Sequence, residues 1–335
     1  MADLFPDFSF STSWNWRDSR VGSEIMEEIL TLGFRKVELN YRVSGEMLTT
    51  ISPMVARGEI EVSSVHNVFP DAEDERFGAD SRLLGHEDPD LRRRAIELTL
   101  RSAERGAELG ARALVVHPGV VPDEGRGTPT GLEWDFRLKA LAGEGFRRGD
   151  PEYDGPFEEY SALRADHVGA EFDRILRSLE EIADGIVRLR LAISIGIENR
   201  PMCWQVPDFK EMGLILNRLE GAPLGMWLDT GHGALMRRLG FFDDVAEAHR
   251  LARRLVGMHI HDIEGTDDHF APYSREGLDR YLALIEASPI KVLELGPKNS
   301  REDVKKGARA LSRALAAARG NKEGRTDVAD QGMAQ

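Results

Sequence analysis

Eight short apolar segments, separated by longer stretches with helical character, run through most of this 335-residue chain. Each segment is a continuous apolar run rather than an alternation of apolar and polar residues, which is typical of strands covered on both faces of a sheet. The segments lie at 8–12, 36–40, 60–66, 111–117, 191–198, 224–229, 255–261 and 290–296. A strand followed by a helix, repeated in this way, predicts an α/β protein with the (β/α)8 barrel, or TIM barrel, fold. A doubly wound sheet is the alternative, but no G-x-G-x-x-G motif follows the first segment.

Helical periodicity fills the intervals between these segments. It is clearest at 91–110, where apolar residues recur at helical spacing from Ile96 to Ala107 and Gly110 supplies a stop. Similar patterns predict helices at 22–32, 44–57, 166–190, 207–219, 243–254, 276–287 and 301–318. The whole pattern predicts a single barrel domain over residues 1–319.

Two stretches interrupt the alternation. Residues 119–165 form a long insertion after the fourth predicted strand, rich in glycine, proline and charge and punctuated by aromatic residues. A connection of this length inside a compact domain is usually functional or disordered, and the aromatic residues favour an ordered, lid-like insertion. Residues 320–335 are polar, and we expect them to form a flexible C-terminal tail.

Composition excludes several classes of protein. The formal net charge of −14 makes nucleic acid an unexpected partner, because a grip on phosphate backbones needs clustered lysine and arginine. The chain has no run of about 18 apolar residues, so the sequence predicts no transmembrane helix. The N-terminal residues do not resemble a signal peptide. A single cysteine, Cys203, fits a reducing compartment, so we expect a cytoplasmic protein.

Ionisable residues gather where the predicted strands end. In a barrel of this kind, active sites are built at the C-terminal ends of the strands. The residues at or just after these ends are Glu38, His66, His117, Glu198, Arg200, Asp229, His232, His259, His261, Asp267, His269 and Glu294. Each has an ordinary structural explanation when taken alone, such as a helix cap, a hydrogen-bonded core histidine or a salt bridge at the barrel rim.

The joint pattern points to a metal. Glu198, Asp229 and Glu294 should converge on one barrel mouth, where three carboxylates would resist ionisation unless a cation neutralised them. Carboxylate oxygens mixed with imidazole nitrogens suit Zn²⁺, Mn²⁺, Fe²⁺ or Co²⁺ better than Ca²⁺. We therefore expect a divalent metal cofactor at this mouth.

Several motifs, taken in order, resemble one known group of barrels. They include SSVHNVFP, GIENRP, WLDTGHGAL, GMHIHDIEG and VLELG. Together they resemble the xylose isomerase-like superfamily, which contains sugar-phosphate isomerases and epimerases as well as DNA-repair enzymes of the endonuclease IV type. The resemblance extends over roughly residues 5–318 and is more specific to the superfamily than to any substrate.

The resemblance implies two alternative site compositions. In the sugar-handling members one metal is held by residues matching Glu198, Asp229, His259 and Glu294. In endonuclease IV the positions matching His66, His117, His232, Asp267 and His269 supply further ligands. This chain has suitable residues at both sets, so the second set is expected to bind either additional metal or substrate.

The acidic charge and the aromatic insertion favour the sugar-handling branch, since an aromatic lid suits a small enclosed substrate. We expect a divalent-metal-dependent sugar or sugar-phosphate isomerase or epimerase, in which Glu198 and Glu294 transfer a proton through an enediolate. Glu38, Arg200 and His261 are expected to contact the sugar or polyol. An endonuclease IV-like, zinc-dependent phosphodiesterase acting at apurinic sites is the alternative. Because similar proteins are commonly dimers or tetramers, the resemblance also admits a homo-oligomer.

Overall fold

The eight predicted strands close into one parallel barrel, in which each strand is hydrogen-bonded to the next and the eighth to the first. A computed structural model describes residues 3–17, 21–121 and 132–331, with side chains described as far as residue 320. We number the barrel strands one to eight. They are Ser9–Ser11, Lys36–Leu39, Glu61–His66, Ala113–Val116, Ser194–Glu198, Leu224–Asp229, Leu255–Ile260 and Lys291–Leu293. The predicted fold class is confirmed.

Helices surround the barrel and connect its strands. They are α1 (Gly22–Leu32), α2 (Gly45–Ala56), α3 (Pro89–Glu108), α4 (Leu132–Gly143), α5 (Pro151–Leu189), α6 (Phe209–Arg218), α7 (Thr230–Arg238), α8 (Asp244–Leu251), α9 (Leu282–Ala287) and α10 (Arg301–Gln331). Short 3₁₀ helices lie at Thr12–Trp14, Glu75–Phe77, Leu83–Gly85, Ala252–Arg254 and Asp279–Tyr281. Two small antiparallel sheets pair Gly119–Val120 with Gln205–Val206 and Asp262–Glu264 with Asp267–Phe270.

Helix α7 is an element that the sequence pattern did not predict. It starts immediately after strand six, because the side chain of Asp229 accepts a hydrogen bond of 2.7 Å from the backbone N–H of His232 and caps the helix. The glycine-flanked stretch that reads as a turn is therefore the first turn of a helix. This fixes His232 at a helix N-terminus directly above the barrel.

The insertion after strand four is largely helical. It contains α4 and the first part of α5, a helix of 39 residues that includes the predicted 166–190 segment. Tyr153 donates a hydrogen bond of 2.9 Å to the carbonyl of Leu239, and Arg164 binds both carboxylate oxygens of Glu211 at 2.7 Å. These contacts join α5 to α7 and α6. Residues 122–131 of the insertion lie outside the described residues, and its role as a lid stays a prediction.

The last helix extends beyond the predicted end of the barrel domain. Helix α10 runs to Gln331, through most of the segment that we expected to be a tail, and residues 332–335 lie outside the described part. The expected flexibility of this segment stays a prediction. In the part of the chain that the structure describes, no helix is both long enough and apolar enough to cross a membrane.

Trp227 fills the lower part of the barrel. Its side chain is fully buried among Ala113, Val115 and Val292, and its ring centroid lies 5.1 Å from that of His259. Glycine on the neighbouring strand makes this possible, because a Cβ atom at Gly257 would lie 2.2 Å from the indole ring. The indole therefore forms the floor beneath the polar residues of the barrel mouth.

We predict that Gly257→Ala lowers the free energy of unfolding by about 1–3 kcal/mol, because the added methyl group overpacks the barrel against Trp227. Gly169→Ala is the matched control, since Gly169 lies within α5 and a Cβ atom there would meet nothing within 4 Å. That control should be neutral or stabilising by about 0.5–1 kcal/mol. Urea denaturation of both variants measures the difference, and equal stability would contradict this account of the barrel floor.

Candidate active site

A cavity of ≈ 250 Å³ opens at the C-terminal ends of the barrel strands. Its lining includes His66, His117, Glu198, Arg200, His232 and Glu294. These residues come from or directly follow five different strands, so it is the closure of the barrel that brings them together.

Four buried side chains form a compact cluster at the base of this cavity. One ligand atom each from Glu198, Asp229, His259 and Glu294 lies within 4.8 Å of all the others. His259 Nδ1 lies 3.1 Å from Glu198 Oε1 and 2.9 Å from Glu294 Oε2, and 3.7 Å from Asp229 Oδ2. Three carboxylates and one imidazole, all buried, are a donor set that fits a divalent cation.

The electrostatic environment of this cluster favours the binding of a positively charged group. Burial opposes ionisation of Glu198, but the positive charge of His259 holds the pKa of its carboxyl well below its usual range. Burial likewise opposes ionisation of Glu294, whose pKa His259 lowers strongly. Conversely, burial disfavours the charged form of His259, yet the carboxylate of Glu294 and its neighbours raise its pKa well above the usual value. The carboxylates are thus ionised and require a cation or a protonated imidazole beside them.

Glu38 lies behind His259 rather than in the cavity. Its side chain is fully buried, both carboxylate oxygens are 3.0 Å from His259 Nε2, and Ser64 donates a hydrogen bond of 2.8 Å to it. A carboxylate on the far ring nitrogen fixes the orientation of a metal-binding histidine. The expectation that Glu38 touches a substrate hydroxyl does not fit this position.

His261 has a similar supporting position. Its Nδ1 accepts a hydrogen bond of 2.9 Å from the backbone N–H of His269, so the proton of the neutral ring is on Nε2. That Nε2 lies 3.0 Å from Asp229 Oδ2, to which it donates. Because both nitrogens are occupied and the ring is buried, the structure does not fit our expectation of a substrate contact.

A second cluster shares Glu198. His66 Nε2, His117 Nε2 and a carboxylate oxygen of Glu198 lie within 4.8 Å of one another. Arg200 reaches the same place, with Nη1 3.5 Å from Glu198 Oε2 and Nη2 2.9 Å from Asp80 Oδ1. Burial and Arg200 lower the pKa of His117 to about 4, so this ring is neutral. Sequence reasoning missed Asp80, which lies in the long connection after strand three and follows no strand end.

The remaining expected ligands, His232, Asp267 and His269, are only partly brought together. His232 and His269 lie together, with ring centroids 5.6 Å apart. Asp267 is turned away, with its side chain 65% exposed and 2.6 Å from Lys298 Nζ. Asp268 faces the cavity instead, where its Oδ1 lies 2.7 Å from His269 Nδ1. The ligand that the endonuclease resemblance assigns to Asp267 therefore points away from these histidines.

We predict that Glu38→Gln lowers the affinity for Mn²⁺ or Zn²⁺ about 10–100-fold, because a support of the histidine ligand is lost. Isothermal titration calorimetry measures this affinity, and Glu97→Gln, on the exposed face of α3, is the control. A change in KM with unchanged metal affinity would instead restore the role of substrate contact.

We also predict that metal affinity falls as the pH is lowered. The metal-free His259 holds its proton because its pKa is raised, and a metal must displace that proton to bind Nδ1. Apparent affinity should fall about tenfold per pH unit for each proton released. Titrations in buffers of different ionisation enthalpy count the protons, and an affinity independent of pH would contradict the assignment.

Comparison with known proteins agrees with this architecture. Among solved structures, a D-tagatose 3-epimerase-like protein is 17% identical, with 94% of this chain and 99% of that chain covered and a TM-score of 0.66. An L-ribulose 3-epimerase is 13% identical, with coverage of 95% and 97% and a TM-score of 0.64. The IolI protein with a binding zinc atom is 14% identical, with coverage of 93% and 98% and a TM-score of 0.56. At these identities the likeness shows the fold alone.

No curated protein matches the chain in sequence. The sequence model of one family, described as Xylose isomerase-like TIM barrel, matches residues 26–314. This match confirms the resemblance that the motifs indicated. Since it extends over far more than half of the chain, the protein belongs to the family of xylose isomerase-like TIM barrels.

Proposed function

We propose that this protein is a divalent-metal-dependent sugar isomerase or epimerase. The observation that carries the proposal is the buried cluster of Glu198, Asp229, His259 and Glu294 at the base of a cavity of ≈ 250 Å³. The cavity suits a small molecule rather than a polymer. The sugar epimerases among the structural neighbours, and the one named as having a binding zinc atom, support the same class of chemistry.

The two glutamates carry the proton transfer. A divalent cation bound by the cluster would polarise the substrate carbonyl and stabilise the negative charge of an enediolate. One glutamate removes the proton from the carbon next to the carbonyl, and the electron pair of that C–H bond moves toward the carbonyl oxygen. Return of that proton by the same glutamate to the neighbouring carbon gives the isomer. Protonation of the original carbon from its opposite face gives the epimer, and for this the other glutamate first takes up a proton from water. Both carboxylates are ionised, so either can act as the base.

The other polar residues of the cavity bind and orient hydroxyl groups. His232 Nδ1 lies 3.0 Å from the carbonyl of Asn199, to which it donates, so its Nε2 is directed elsewhere. Asp268 orients His269 through the contact at 2.7 Å. These imidazoles offer hydrogen bonds to a polyol, and the aromatic insertion would limit the access of water.

We favour a substrate without a phosphate group. Among the described residues that line the cavity, Arg200 is the only arginine or lysine. Its charge is already balanced by Asp80 and Glu198. Recognition of a phosphate ordinarily uses unpaired cations or free backbone N–H groups. A neutral sugar or polyol therefore matches the charge of this cavity better than a sugar phosphate does.

The endonuclease alternative is not favoured. Its further ligands include Asp267, which instead pairs with Lys298 on the surface. The net charge of −14 also opposes binding to a phosphate backbone.

We predict that Glu198→Gln and Glu294→Gln each lower kcat about 10²–10⁴-fold, since each removes one partner of the proton transfer. Turnover of a panel of ketoses in D₂O, followed by NMR, measures both the rate and the incorporation of solvent deuterium at carbon. Treatment with a chelator should abolish activity, and Mn²⁺ or Co²⁺ should restore it. Glu97→Gln, remote from the cavity, is the control.

Two outcomes would contradict the proposal. The first is normal turnover in either glutamine variant. The second is cleavage of abasic duplex DNA by a wild-type protein that turns over no sugar in the panel.

A further inference from the structure

The cluster of His66, His117 and Glu198 contains three hydrogen-bond acceptors facing one another. His66 Nδ1 lies 3.2 Å from the carbonyl of Asn67, and His117 Nδ1 lies 3.2 Å from the carbonyl of Ala79. A backbone carbonyl only accepts, so each neutral ring carries its proton on Nδ1 and a lone pair on Nε2. The two Nε2 atoms are 3.1 Å apart, and His117 Nε2 is 2.5 Å from Glu198 Oε2.

Such a group is unstable without positive charge. Acceptors at these distances repel one another unless a cation or a donor lies between them. A second divalent ion is one solution, because two imidazole nitrogens and a carboxylate are good ligands. However, the protein already has a cationic side chain at this cluster.

Arg200 supplies that cation. Its side chain is only 7% exposed, and its Nη1 contacts His117 Nε2 directly while lying 3.5 Å from Glu198 Oε2. Its other terminal nitrogen, Nη2, is held by Asp80 at 2.9 Å. A guanidinium is always protonated and offers donors in a fixed fork. Arg200 thus provides a permanent positive charge and a hydrogen-bond donor to the facing acceptors.

We propose that Arg200 takes the place of a second metal ion at this cluster, so that no divalent ion binds beside His66 and His117. This inference rests on the proposed function, in which the single ion is held by Glu198, Asp229, His259 and Glu294. An ion entering beside His66 and His117 would have to displace a buried guanidinium from its partners or accept a like charge at contact distance. Either event is unfavourable in a buried site.

One consequence concerns Glu198. Its Oε1 faces His259 Nδ1 at 3.1 Å, whereas its Oε2 faces His117 and Arg200. With Arg200 in place, Glu198 does not bridge two metals. It would hold one ion through Oε1, while Oε2 stays beside the positive charge of Arg200.

The test is the number of metal ions per chain. After loading with Mn²⁺ and gel filtration, elemental analysis should find one ion in the wild type and in Arg200→Lys, and two in Arg200→Met. Arg42→Met is the matched control, because Arg42 is exposed and lines a separate, neighbouring cavity, and it should keep one ion. Arg200→Gln repeats the measurement if the methionine variant does not fold.

Electron paramagnetic resonance locates the second ion. Two Mn²⁺ ions bridged by Glu198 would be about 3.5–4 Å apart, and should give an exchange-coupled spectrum in place of the signal of an isolated ion. The double variant Arg200→Met with His117→Gln should return to one ion and an uncoupled spectrum.

The outcomes separate this inference from the proposed function. An exchange-coupled pair of ions in the wild type, or no gain of an ion in the Arg200→Met and Arg200→Gln variants, would overturn the role of Arg200 and leave the proposed function intact. A wild type that binds no ion would overturn both, because the metal on which the proposed function depends would then be missing.

Discussion

Crowding of negative charge at the mouth of the barrel is the constraint on which the rest of this structure depends. Glu198, Asp229 and Glu294 are nearly or fully buried, and their ligand atoms lie within 4.8 Å of one another and of His259. Isolated carboxylates in such a place would be neutral. Here the imidazoles keep them ionised, and the proposed cation would take over that task from the proton of His259.

The residues around this cluster fix the orientation of its side chains through hydrogen bonds. Glu38 fixes His259, and His261 fixes Asp229. Asn199 joins strands five and six at the same level, since its side chain accepts a hydrogen bond of 2.8 Å from the N–H of Asp229 and donates one of 3.0 Å to its carbonyl. With Trp227 as a rigid floor, the donor atoms are oriented before any ion or substrate arrives, which lowers the cost of ordering them on binding.

The sequence was informative where a physical pattern determines the geometry. Strands covered on both faces read as continuous apolar runs, so all eight were found, and parallel closure brings their ends together. The roles of Glu38 and His261 were missed, because the partner of each ring nitrogen is a long-range contact that no spacing reveals. Asp80 and Asp268 lie in connections whose path depends on tertiary packing. Helix α7 was read as a turn, since a capping Asp and glycines look alike in both.

The negative charge of a cluster can be balanced by a bound metal ion or by a cationic side chain of the protein. Which of the two is present decides which chemistry the barrel can perform. At the His66 and His117 cluster the positive group is Arg200. Lys298 pairs with Asp267, whose side chain is turned away from His232 and His269. Arg200 and Lys298 belong to the chain itself, so neither cation can leave the protein. Around Asp229, His259 and Glu294, by contrast, the described cationic partners are the imidazoles of His232, His259 and His269. An imidazole releases its proton when a metal competes for it. A metal can therefore enter most easily beside Asp229, His259 and Glu294, where the competing cation is a proton, and that place is the base of the cavity.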